Sequence, residues 1–170
     1  MYYRLLPQLQ PIEPEDIDLS VLTAGYIDCD GLEAAIDRFG FTDISSEACL
    51  ADRDNYRNLV DVYEDYTFGL VSIVDVNSVY DVSDRLAFFF RKNLFLVVNL
   101  RDEDGSTLET FQATLRRYRP ESVTLEKLIF AMLESTISKD AQGLKRIEMK
   151  IDELEETVAL GNADKTLSVR

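Results

Sequence analysis

The sequence predicts an α+β fold, an α/β/α sandwich whose mostly antiparallel sheet is flanked by short helices and followed by a long projecting helix. Three observations carry that reading. β-Branched and aromatic runs succeed one another at hairpin spacing through the middle of the chain. A short helical pattern that ends on a glycine precedes them, and no proline or turn cluster interrupts the stretch from Thr124 to Leu160. At 170 residues with 46% hydrophobic content, the chain can bury a real core. The expected division is residues 1–120 as the α/β domain and 121–170 as the arm helix with the start of a further connection.

Taken in order, Pro7, Pro11 and Pro14 punctuate an opening that reads as an extended strand followed by irregular chain. Val21–Ile27 is a strand. Asp30 is expected to cap a helix over Gly31–Phe39, with Glu33 as its capping-box partner and Gly40 as the stop. A weaker helix covers Ile44–Ala51. Leu59–Tyr66 alternates, placing Val60 and Val62 on one face and Asp61, Tyr63 and Asp65 on the other. Thr67–Val76, Val82–Arg91 and Leu94–Leu100 continue an antiparallel meander, with Lys92-Asn93 as the last hairpin turn. Asp104-Gly105 closes it, and Ser106 or Thr107 caps a helix to about Tyr118.

Thr124 opens the long helix, and Gly161-Asn162 is expected to stop it. At 1.5 Å per residue it is about 55 Å long. The chain before it makes a ball roughly 35 Å across, so about a third of the helix projects. Leu144, Ile147, Ile151, Leu154 and Val158 fall at steps of three and four. That is a narrow seam suited to another helix.

Composition narrows the function. Eighteen Lys and Arg against 32 Asp and Glu give a net charge of −14, which disfavours nucleic acid and anionic lipid surfaces. No histidine is present, so imidazole-based nucleophile activation and His–metal sites are excluded. Cys29 and Cys49 read as free thiols. The opening residues do not read as a signal peptide, and no apolar run approaches the roughly 20 residues of a bilayer span. There is no glycine-rich phosphate loop and no paired acids poised for proton transfer, so the chain is not expected to be an enzyme.

The acids are the candidates that remain. Glu148, Asp152 and Glu156 stack at four-residue steps beside the seam. They read either as a solvated acidic face, the simpler account, or as a hard-cation site suited to Mg²⁺ or Ca²⁺. Glu47, Asp52 and Asp54 near Asn55 form a second oxygen-rich patch without the EF-hand spacing. Arg116-Arg117-Tyr118-Arg119 is a basic cluster best read as an ion-pair strip.

Several segments resemble the CorA family of Mg²⁺ channels. Val60-Asp61-Val62-Tyr63-Glu64-Asp65-Tyr66-Thr67-Phe68-Gly69-Leu70-Val71 is similar to the family's strand pair, and Arg85–Leu100 to its next hairpin. Tyr26-Ile27-Asp28 with Arg38-Phe39-Gly40 fits an early family segment, and Leu125–Val158 resembles the first of two arm helices. The resemblance implies a regulatory domain at the cytoplasmic face of the cell membrane, part of a homopentameric channel. It would sense Mg²⁺ between subunits and hold the pore shut when the ion is abundant, with Zn²⁺ or Co²⁺ as alternative transported ions. The membrane enters only through a missing C-terminal part, and this piece alone is expected to be a monomer or a helix-mediated dimer. Counted from its flanking motifs, the family's regulatory acid falls at Ala48 or Leu50; Glu47 and Asp52 flank both. With Asp152 and Glu156, these are the expected metal ligands. The Gly-Met-Asn filter motif is absent, and of the usual segment before the strand only Arg57 is kept. The competing reading is a free-standing acidic interaction module that dimerises through its long helix.

Overall fold

The computed structural model describes residues 1–51, 58–73, 84–102 and 104–167. Seven strands form one mixed sheet: β1 Tyr2–Arg4, β2 Gln10–Ile12, β3 Thr23–Asp28, β4 Leu59–Val62, β5 Thr67–Ile73, β6 Asp84–Arg91 and β7 Leu94–Arg101. Their spatial order is β2-β1-β3-β7-β6-β5-β4. The meander β4 to β7 is antiparallel throughout, as its hairpin spacing predicts. Lys92 takes the positive φ of 49° that the final turn requires, in place of a glycine. The central β3–β7 pair is parallel, which no local pattern foretells because the two strands are far apart in sequence.

Helices cover both faces. α1 (Leu32–Phe39) and α2 (Asp43–Ala51) follow β3, and Leu32, Ile36 and Phe39 bury against Phe68, Phe89, Leu94 and Leu96 on one face. α3 (Ser106–Arg116) and the first turns of α4 (Leu125–Leu167) follow β7. Their Phe111, Leu115, Leu128 and Met132 bury against Leu86, Phe88, Phe95 and Val97 on the other. Strand alternation thus feeds two separate apolar layers, which makes the α/β/α sandwich.

Local details depart from the sequence expectations at three places. Asp30 does not cap α1; Asp28 caps the 3₁₀ turn Cys29–Gly31 that precedes the helix, accepting from the Gly31 amide at 3.0 Å. Gly40 stops α1 as expected, in the left-handed region at φ 65°. On β4, Val60 and Val62 are 69% and 79% exposed, while Leu59 packs against the α1 layer. The strand is the edge of the sheet, and among the described residues no helix covers its second face. α4 runs through Gly161-Asn162 to Leu167, because glycine costs only about 1 kcal/mol inside a helix and no proline follows. Finally, neither Ser106 nor Thr107 is the cap of α3, as described next. The extensions of β5 to Val76 and of β6 back to Val82 lie outside the described residues.

Candidate metal centre

Among the described residues, one group of three acids lies where β6 begins and β7 ends. Asp84, Asp102 and Asp104 each bring one carboxylate oxygen within 4.8 Å of the others. Asp84 opens β6; Asp102 and Asp104 follow β7, its antiparallel neighbour, in the turn that leads into α3. Both strands therefore deliver acids to the same end of the sheet.

Asp102 is the organising residue. One oxygen accepts from the Thr107 amide at 3.4 Å; the other accepts from the Leu108 amide at 3.2 Å and the Tyr26 hydroxyl at 3.0 Å. The Thr107 hydroxyl donates to the second oxygen as well and lies 2.8 Å from the Tyr26 hydroxyl. This is helix capping carried out from outside the helix: Gly105 precedes α3 at φ 75° with no side chain to offer, so carboxylates supply the acceptors. Asp104 accepts from the Ser106 amide at 2.8 Å, and Asp84 from the Ser106 hydroxyl at 3.3 Å.

Electrostatics follow from these bonds. Burial pushes the Asp102 carboxyl up, but hydrogen bonds from Thr107, Tyr26 and Leu108 outweigh it and hold the group below the usual carboxylate range. Burial raises the Tyr26 hydroxyl well above its ordinary value, and the neighbouring Asp102 charge adds to the rise. Tyr26 is a neutral donor at physiological pH. The donor set is oxygen only, which suits Mg²⁺ or Ca²⁺ and not zinc. Asp102 is committed on both oxygens, so a cation here would draw chiefly on Asp84 and Asp104.

None of the three expected ligands among the described residues lies in this cluster. Glu47 is exposed on α2, and Asp152 and Glu156 are exposed one turn apart on the projecting part of α4. Asp52 lies outside the described residues. α2 and the packed start of α4 occupy opposite faces of the sheet, so the structure does not bring Glu47 to Asp152 and Glu156 within one chain. In sequence, Asp104-Gly105 reads only as the close of the meander. The missed signal was Asp-Gly-Ser-Thr opening a helix with an acid just upstream; Asp84 had no local signal at all and is joined to the others only by strand register.

The cysteines behave as expected: both are free thiols, and burial pushes Cys49 up to about 12, leaving it protonated and inert.

A family profile described as "CorA-like Mg2+ transporter protein" matches residues 28–169. The chain belongs to this family. Among solved structures it is similar to the ZntB cytoplasmic domain from Vibrio parahaemolyticus (TM-score 0.66, 10% identity, 89% of this chain and 63% of that one). It is also similar to the complete CorA magnesium transporter from Methanocaldococcus jannaschii (TM-score 0.67, 14% identity, 93% and 50%). The soluble domain of CorA from Methanocaldococcus jannaschii matches likewise (TM-score 0.60, 16% identity, 94% and 64%). At these identities the likeness shows a shared fold, and the chain spans half to about two thirds of the length of those proteins. No curated protein sequence matches. Among the described residues, no helix is long and apolar enough to cross a membrane.

Proposed function

We propose that this chain is the cytoplasmic regulatory domain of a CorA-like divalent-cation transporter, sensing Mg²⁺ through carboxylates shared between subunits of a homo-oligomer, a pentamer in the whole protein. The single observation behind the reading is the family match over residues 28–169. Three physical features support it. The surface is acidic enough to concentrate cations, at net −14. Glu47, Asp152 and Glu156 are exposed on elements that cannot meet within one chain, which suits ligands completed by a neighbour. The ligand chemistry on offer is carboxylate oxygen, to which hard divalent ions bind weakly and reversibly. Asp52 remains a proposed partner of Glu47. Passage of Mg²⁺, or of Zn²⁺ or Co²⁺ in its place, belongs to membrane helices of the whole protein and is part of this proposal. The role is regulatory and not catalytic. A free-standing interaction module rests on the helix seam alone and does not account for the family match.

The test is a thermal melt of the chain in MgCl₂ against NaCl at matched ionic strength. Ion sensing predicts a Tm that rises with Mg²⁺ over the millimolar range and saturates, since ligand binding stabilises the folded state. A Tm that does not respond up to tens of millimolar contradicts it.

A further inference from the structure

A cavity of about 650 Å³ opens at the carboxyl ends of β3 and β7, the parallel pair of the sheet. Ile27 and Asp28 end β3, Asn99 lies opposite Asp28 on β7, and all three line the cavity. The chain leaves β3 for α1 on one face of the sheet and leaves β7 for α3 on the other. Connections that part to opposite faces leave a crevice between the strand ends, which is where open α/β sheets take small-molecule ligands.

One end of this cavity is prepared for an anion. Tyr2 lines it and is only 8% exposed, with its ring edge-on against Phe39. Its hydroxyl nevertheless has no hydrogen-bond partner among the described residues, whereas a buried phenol ordinarily finds one. Burial raises the Tyr2 hydroxyl above its ordinary value and the nearby Arg38 charge offsets part of the rise, so Tyr2 is a neutral donor. Arg38 is exposed on the same lining and has no ion-pair partner among the described residues. A hydroxyl and a guanidinium, both unengaged, suit a carboxylate.

The other end is acidic. Asp28 gives one oxygen to the Gly31 amide, and Glu15 is exposed beside it on the lining. The Met1 amine, bonded to the Tyr26 carbonyl at 2.8 Å, answers one of these acids and leaves the other for a ligand. Ile27, Ala34 and Ala35 supply a small apolar stretch between the ends. From Gly31 to Arg38 is about 10 Å along the helix. An extended peptide of about three residues has the same length.

We propose that this cavity binds a short linear zwitterion, a small peptide or a basic amino acid. Its carboxylate meets Arg38 and the Tyr2 hydroxyl, and its ammonium meets Glu15 and Asp28. The net charge of −14 disfavours polyanions such as nucleotides and leaves a molecule whose own charges cancel unopposed. No metal ion takes part, so failure of this binding is separate from failure of the ion-sensing proposal.

The test is an NMR titration of the whole chain with chelator present, using triglycine and L-lysine as the peptide and amino-acid probes. At least one probe should give saturable shifts centred on Tyr2, Gly31 and Arg38. Blocking the carboxylate of that probe as its carboxamide should weaken binding at least about tenfold, since a charge-assisted pair is lost. R38Q should weaken it by a similar factor. Y2F should weaken it severalfold while leaving circular dichroism and the Tm of the free chain unchanged, because the hydroxyl it removes has no partner there. The absence of saturable shifts with both probes overturns the proposal. So does equal binding of acid and carboxamide, or binding by R38Q equal to that of the parent chain.

Discussion

Asp102 shows how much one side chain can fix. It ties the end of β7, the buried hydroxyl of Tyr26 on β3 and the first turn of α3 into one polar knot. Asp102→Ala removes the cap and strips Tyr26 and Thr107 of a charged acceptor, so a loss of about 1–2 kcal/mol is expected in a denaturant titration. Its pH signature has a definite sign. The folded-state pKa lies below the unfolded value, so the contribution is complete above the ordinary carboxyl range near about pH 4. It fades as pH falls through the lower folded value. Parent and variant stability should therefore converge in acid and stay apart at neutral pH; a gap that persists unchanged at pH 2 would speak against this account. Gly25 is fixed by contact instead of charge. A methyl there would lie 2.6 Å from the Tyr2 ring and 2.8 Å from a Leu96 methyl, and Gly25→Ala should cost about 1–3 kcal/mol by overpacking.

At the scale of elements, the strands were legible wherever a buried face imposed alternation or a hairpin imposed spacing, as in β5, β6 and β7. The failures have physical causes. The alternation of β4 separates Val60 and Val62 from Asp61 correctly, but alternation alone does not say which face is covered, and the valines are exposed. The end of α4 was misread because Gly161 weakens a helix without forbidding it. Caps were misassigned because a 3₁₀ turn capped by Asp28 intervenes before α1, and because Asp102 reaches α3 from outside the usual cap position. Asp84 joined the acid cluster through strand pairing, which has no trace in the linear pattern. The helix α4 has an anchored start, and farther along Leu144, Met149, Ile151, Leu154 and Val158 are exposed. Leu128→Ala or Met132→Ala in the anchored part should cost about 2–5 kcal/mol, because both side chains are fully buried against the sheet. Leu154→Ala on the exposed part should change the unfolding midpoint of the dilute chain by no more than about 0.5 kcal/mol. Equal losses at both places would mean that the distal helix is packed within its own chain.

For the whole molecule, the governing quantity is charge. Thirty-two acids against 18 bases make a net field that draws divalent cations, so specific sensing has to be separated from a diffuse ion atmosphere. Family membership was legible in the order and spacing of segments from Tyr26 to Val158, because strand pair, hairpin and arm helix recur together. The proposed ion ligands were less so: an exposed carboxylate looks the same in sequence whether it faces water or a neighbour's metal ion.

The most direct test of ion sensing uses Mn²⁺ as a paramagnetic substitute for Mg²⁺, followed residue by residue by NMR at constant ionic strength. The account predicts selective broadening at low Mn²⁺ around Glu47, around Asp152 and Glu156, or around Asp84 and Asp104, reversed by excess Mg²⁺ and not by Na⁺. Broadening spread evenly over all exposed acids, and unaffected by Mg²⁺, would contradict it.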